Sequence, residues 1–307
     1  MKILLGTPAH GGMVCLGYHE SVLRTLATFR NEFPGIQFEN RSIVCSVLPL
    51  ARNILASMVL NDPSFTHLLF IDSDMGFSPS LIAKMIAQQK PVVGAVCPQK
   101  KFNYDWFHAS AKTHPNPAVA RILANDYVGG QGAIMTTPGP DGKRQTQMVE
   151  GFVRVSYAGT GIMLIHRSVF ETMKEKFPEL WVANPGERHK QFGLEGGVLQ
   201  CFDVVQGPDG LFPGEDLAFC RRWVDVCGGE IWSCIDEAIA HIGQENFVGQ
   251  YLLKMQLGDA LVQEPQSQAA RAPAVSMMPE TRPPAISILQ TPEEPQPLRQ
   301  GRRARAN

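Results

Sequence analysis

No stretch of this 307-residue chain approaches the roughly 18 uninterrupted apolar residues that a membrane-spanning helix needs. The opening MKILLGTPAHGG has a single lysine and too short an apolar run for a secretory leader. Cysteine is sparse: there are seven, an odd number, with no Cys-x-x-Cys pair and no histidine at metal-finger spacing. That argues against a disulfide framework and a zinc finger, and the expected setting is a reducing one, the cytoplasm. Cys220, Cys227 and Cys234 are evenly spaced, but the first two share an apolar helix face with Leu217 and Val224, the pattern of core packing. Charge is scarce too. Asp, Glu, Lys and Arg make up 19% of the chain and the formal net charge is −1, so a polyelectrolyte surface for nucleic acid is not expected.

What the chain does have is apolar content, 44% of residues, ample for a sizeable core. KILLG reads as a short buried strand ending in the loop TPAHGGM, and Leu16, Val22, Leu23, Leu26 and Phe29 give residues 15–30 a helical pattern. GIQFENRSIVCSV is strand-like, LARNILASMVLN helical and HLLFID a strand. Ser78 and Pro79 open a helix running to about Gln88, and PVVGAVC is again a buried strand. Alternating buried strands and helices predict an α/β fold, a mostly parallel, Rossmann-like sheet with helices on both faces. From residue 98 to 149 periodicity is lost, and an irregular insert is expected. Order returns with a strand, a Gly-Thr-Gly break, a second strand and a helix capped at Ser168. GGVLQCFDVV suggests one more strand, GEDLAFCRRWVDVCGG a helix closed by Gly228 and Gly229, and EIWSCI a last strand. The folded domain is expected over 1–258. Residues 259–307, rich in Pro, Gln and Arg, are expected to be a disordered tail.

The segment HLLFIDSDMGF poses the chemical question, because a buried strand runs straight into two carboxylates, Asp72 and Asp74. Their repulsion is relieved by solvent, a cation, or an oxygen-rich ligand carrying one. In an open α/β sheet, ligands sit beyond the carboxyl ends of the strands, where these aspartates lie together with the glycine-rich loop GTPAHGG. Mg²⁺ or Mn²⁺ between the pair and a diphosphate would neutralise both sides. Taken alone, an Asp-x-Asp-x-Gly stretch is also an ordinary hydrogen-bonded turn. Glu215 and Asp216 stand in the first turn of a helix, where carboxylates cap as readily as they catalyse. A lone histidine such as His241 is more often packed or exposed than a ligand.

Order and spacing tie these pieces together. LARN (Arg52, Asn53), FIDSD (Asp72, Ser73, Asp74), GTG (159–161), GED (214–216), CRR (Arg221, Arg222) and His241 follow one another in a layout that resembles the GT-A glycosyltransferases. The likeness is greatest to their family-2-like, inverting, nucleotide-sugar-dependent branch, and it spans roughly residues 2–250. One departure is the lack of an acidic residue after the second strand to contact the nucleobase, which leaves the base open.

The resemblance implies Mn²⁺ or Mg²⁺ held by Asp72, Asp74 and His241 against the diphosphate of a nucleoside-diphosphate sugar, as a Lewis acid on the leaving group. It implies donor contacts from Thr7, Pro8, Arg52, Asp72, Ser73, Asp74, Gly159, Thr160 and Gly161. Asp216 would accept the proton of an acceptor hydroxyl, with Glu215 orienting acceptor or donor; a retaining mechanism would take that role from Asp216. Arg52 suits a structural ion pair nearly as well as the donor phosphates, and at least one of Arg221 and Arg222 is expected to make a structural ion pair. The 98–149 insert, with Tyr104 and Trp106, is the expected acceptor region, also met by Glu215. Whether the acceptor is a glycan, protein, lipid or modified nucleic-acid base is open. Two other readings compete: a metal-dependent nucleotidyltransferase, against which GTPAHGG lacks the basic residues that grip a triphosphate, and a GT-A-shaped binding module without turnover.

Overall fold

The computed structural model describes residues 1–138, 144–207, 210–243 and 246–257. The tail expected at 259–307 lies outside the described residues. Strand and helix alternate through β1 (Lys2–Pro8), α1 (Leu16–Glu32), β2 (Gln37–Ile43), α2 (Leu48–Asn61), β3 (His67–Ile71), β4 (Met75–Gly76), α3 (Pro79–Ala87) and β5 (Val92–Ala95). The segment expected to be irregular instead holds β6 (Pro98–Phe102) paired with β7 (Asn125–Tyr127), and between them α4 (Tyr104–Thr113) and α5 (Pro117–Leu123). The side chains of Asn103 and Asn116 cap these two helices, so the asparagines that obscure the apolar pattern are helix starts. Short pieces α6 (Gly130–Ala133), β8 (Thr137–Pro138), β9 (Arg144–Gln145) and β10 (Met148–Val149) follow. The chain continues through β11 (Phe152–Val155), β12 (Ile162–His166), α7 (Arg167–Lys176), β13 (Trp181–Val182), α8 (Glu187–Lys190), β14 (Val198–Leu199), α9 (Glu215–Arg221), β15 (Ile231–Cys234), β16 (Ile239–Ile242) and β17 (Asn246–Gly249).

Eight strands form one sheet in the order β10-β11-β15-β5-β12-β3-β1-β2. β2, β1 and β3 are parallel, as are β5 and β15, while β11 and β12 run against them. The fold is therefore α/β with a mixed, mostly parallel sheet. Both faces are covered, which is why the strands read as continuous apolar runs. Leu4, Leu68 and Phe70 join α2, α7 and α9 in one core. Ile3, Leu5, Leu69 and Ile71 point the other way, to α1 and α3.

Several expectations shift by a few residues. On α1 the buried face is Tyr18, Ser21, Val22, Thr25 and Phe29, and Leu16 and Leu23 are 71% and 53% exposed. The helix turns its polar Ser21 inward because the Ser21 Oγ accepts the Phe77 N–H. His166, not Ser168, caps α7: its Nδ1 accepts the Ser168 N–H. The strand expected in GGVLQCFDVV is only two residues long, β14. Its neighbours are held instead by a polar stripe on α2. Asn61 donates to the Gly197 carbonyl, Ser57 Oγ accepts the Leu199 N–H, and Asn53 accepts the Phe202 N–H while donating to Asp203.

Candidate active site

β12 enters the sheet reversed, so Ile162 pairs with Ile71 at the carboxyl end of β3. The Gly-Thr-Gly turn before β12 is thereby laid beside the aspartates that leave β3, and Asp72 N–H donates to the Gly161 carbonyl at 2.9 Å. The chain then bends into β4, which pairs with β16 and sets His241 opposite Met75. That pairing carries the histidine back to Asp74 across a long stretch of sequence.

Two groups of side chains result. In the first, Arg52 is 2% exposed, and its Nη2 donates to both carboxylate oxygens of Asp72 at 3.1 and 3.2 Å. Its Nε donates to Glu215 Oε1 at 3.2 Å. One guanidinium thus joins the end of β3 to the start of α9. Burial pushes the Asp72 carboxyl up; Arg52 opposes this, and Asp74 and Glu215 add to it. Asp216 is also raised, first by burial and then by Glu215 beside it. An added Cβ at Gly159 would stand 3.6 Å from Asp216 Oδ2, and one at Gly161 3.8 Å from Asp72 Oδ2. The two glycines let the turn between them lie against both carboxylates. Arg52 Nη1 and Thr160 Oγ1 are buried there without a hydrogen-bond partner among the described residues.

In the second group, Asp74 Oδ2 meets Lys100 Nζ at 2.5 Å and His241 Nε2 at 3.5 Å. Burial alone would raise the Asp74 carboxyl, but His241 and Lys100 outweigh it and hold it at about 2. His241 Nδ1 lies 2.8 Å from the Pro98 carbonyl, which can only accept. The Nδ1–H therefore donates to that carbonyl and Nε2 faces Asp74: protonated, it pairs with the carboxylate, and deprotonated, it offers a lone pair at the same point. A carboxylate oxygen and an imidazole lone pair aimed at one point, with the second nitrogen anchored to a carbonyl, suit a divalent cation. Among the described residues no group of three or more His, Cys, Asp and Glu is gathered for a metal. The fit is of two protein ligands, Asp74 and His241, with further positions left to a ligand. Asp72, expected as a third, spends both oxygens on Arg52.

Other expected residues are placed differently. Thr7 is fully buried and its hydroxyl pairs with the Tyr18 hydroxyl at 2.5 Å; Pro8 is buried as well. Neither side chain is offered to a donor. Ser73 contributes through its backbone, its carbonyl accepting the Cys15 N–H at 2.8 Å, which fastens the loop after β1 to the aspartates. Tyr104 is 73% exposed and Trp106 half-buried, both on α4, the element after Lys100. Arg222 is a structural residue, donating to the Cys201 carbonyl. Lys100 was the residue the sequence did not single out; its only signal was a lysine closely following a strand at the ligand edge of the sheet.

No protein-family model matches the chain, and no curated protein does. Among solved structures it is similar to A197 from STIV, with 14% identity over 81% of this chain and 94% of that one, TM-score 0.40. It is similar to GalNAc-T7 with UDP, GalNAc and Mn²⁺, with 11% identity over 80% of this chain and 43% of that one, TM-score 0.40. A third likeness is to a chain described as a glucose-1-phosphate thymidylyltransferase from Bacillus anthracis in complex with a sucrose. There the identity is 15% over 57% of this chain and 74% of that one, TM-score 0.27. Overlaps of this size leave function to the geometry of the site itself. No helix among the described residues is long and apolar enough to cross a membrane.

Proposed function

We propose that the chain is a metal-dependent glycosyltransferase of GT-A type, transferring a sugar from a nucleoside-diphosphate sugar to an acceptor hydroxyl. The observation that carries this reading is the Arg52 bridge. It joins Asp72, the start of the Asp-x-Asp loop, to Glu215, the neighbour of Asp216, so that elements far apart in sequence form one polar site at the carboxyl edge of the sheet.

Asp74 and His241 would hold Mn²⁺ or Mg²⁺ there. Such a cation supplies Lewis-acid stabilisation of the charge that develops on a departing diphosphate. The other steps belong to the protein. The turn 159–161 brings its backbone against Asp72 and Asp216, so that its peptide groups line the site beside both carboxylates. Asp216, with its pKa raised by burial and by Glu215, is a stronger base than an exposed carboxylate and would take the acceptor proton, a contribution of about 10²–10⁴-fold in rate. Glu215, fixed through Arg52, would orient the acceptor, and α4 with Tyr104 and Trp106 would form its outer wall. An inverting outcome follows from Asp216 acting as base.

The test is a panel of nucleoside-diphosphate sugars incubated with the protein, Mn²⁺ or EDTA, and read for nucleoside-diphosphate release. Release with Mn²⁺ and its loss with EDTA are expected. Pyrophosphate release from a nucleoside triphosphate and a sugar phosphate, with no activity on any nucleoside-diphosphate sugar, would overturn the reading in favour of nucleotidyl transfer.

A further inference from the structure

Lys100 stands where a cation would. Its Nζ is 2.5 Å from Asp74 Oδ2, the same oxygen that faces His241 Nε2. It reaches there from β6, the strand whose Pro98 carbonyl also fixes the His241 ring. An ammonium and a divalent cation cannot share that oxygen at close range without strong repulsion. The lysine side chain is 39% exposed, so it can leave on its flexible stem at small cost.

We infer that Lys100 is a resident counter-ion for Asp74 that a divalent cation must displace, and that the displaced ammonium then binds a phosphate oxygen of the donor. The inference rests on the proposed donor site. It makes Lys100 a donor-binding residue and couples the two ligands: metal alone pays for the expulsion of Lys100, whereas metal arriving with a diphosphate gives the lysine a new partner. The site therefore favours the metal–diphosphate complex over the free ion.

Mn²⁺ titration followed by electron paramagnetic resonance, in the full-length protein and in Lys100→Met, tests this without reference to turnover. With Mn²⁺ alone the variant binds about tenfold more tightly or better, because no like charge has to be moved. With Mn²⁺ and inorganic pyrophosphate, a probe that avoids the unknown base, the variant loses affinity by about tenfold. Lys100→Arg keeps a cation and stays near wild type for Mn²⁺ alone, and circular dichroism melting verifies that both variants fold. Equal or weaker Mn²⁺ binding by Lys100→Met, or no Mn²⁺ binding by either protein, overturns the inference. If Lys100→Met leaves both affinities unchanged while wild type still releases nucleoside diphosphate only with Mn²⁺, the lysine role fails and the glycosyltransferase reading stands. If Mn²⁺ affects no donor, that reading fails separately.

Discussion

Arg52 and Asp72 form a two-pronged contact, Nη2 to both carboxylate oxygens at 3.1 and 3.2 Å, while the same guanidinium reaches Glu215 through Nε. Arg52 sits on α2, Asp72 after β3 and Glu215 at the head of α9, so a single fully buried cation is the junction of three elements. Arg52→Met removes it and leaves Asp72 and Glu215 facing one another unpaired. The expected loss of stability is about 3 kcal/mol, the lower end of the cost of losing one partner of a buried pair, because both carboxylates keep some contact with water. Arg52→Lys recovers little, since an ammonium cannot span two carboxylates as a planar fork does. Urea unfolding midpoints measure both, and a loss below the ordinary scatter of surface substitutions would show that the bridge is dispensable.

A carboxylate pair with no counter-charge would be relieved by Asp74→Asn, and from the sequence alone that variant is expected to match or exceed wild type in stability. The structure reverses the sign. Asp74 is paired with Lys100 and His241, and its carboxyl is held at about 2, below its unfolded value near 3.9. A depressed folded pKa contributes stability that is fully present above the unfolded pKa and is lost as pH falls through the folded one. Asp74→Asn should therefore cost about 1 kcal/mol at neutral pH, after allowance for partial exposure. The gap to wild type should close between about pH 4 and pH 2. Denaturation midpoints for both proteins across that range provide the measurement; a constant gap would mean that the pair contributes nothing.

The sheet and the carboxyl-edge location of Asp72 and Asp74 were legible because buried strands and amphipathic helices follow simple periods, and strand ends follow from them. The reversed β12 was not legible: a five-residue apolar strand has the same pattern in either direction, and only its pairing with Ile71 and Gly94 fixes it. The polar stripe Asn53, Ser57, Asn61 recurs every fourth residue on α2, a signal present in the sequence but readable as an exposed face. Its meaning depends on the backbone of 197–202 lying against it. Lys100 carried only the faint signal of a lysine close behind a strand at the ligand edge, because its role is set by where β6 passes the aspartates. Thr7 enters the sequence reading only through the resemblance, and no local pattern announces that its hydroxyl pairs with that of Tyr18 on the next helix.

The two glycines of the 159–161 turn should respond unequally to alanine. At Gly159 the new Cβ would lie 2.8 Å from Val128 Cγ1 and face Asp216, whereas at Gly161 its nearest neighbour is the flexible end of Met75 at 3.2 Å. Gly159→Ala is expected to cost about 1–2 kcal/mol, as overpacking against Val128 does, and to lower kcat for sugar transfer because the turn that must shift lies against Asp216. Gly161→Ala should fall within about 1 kcal/mol of wild type. Paired thermal melts and transfer assays distinguish them, and equal effects at the two positions would remove the assigned contact with Asp216.

The base assignment is sharpest in its pH dependence. Asp216 must be deprotonated to accept a proton, and burial, with Glu215 second, raises its pKa. The acid limb of the kcat profile should therefore lie above the ordinary carboxylate range of about 3.9–4.3. Glu215→Gln removes one negative neighbour and frees Arg52 from one of its two partners; both changes favour ionised Asp216, so the limb moves to lower pH even if kcat itself falls. Asp216→Asn keeps its affinity for a metal–diphosphate complex and loses about 10²-fold or more in kcat, because the proton is taken only in the transition state. Transfer rates from pH 4 to 8 in the three proteins settle the matter: a limb that stays fixed in Glu215→Gln, or near-normal turnover in Asp216→Asn, would take the proton away from Asp216.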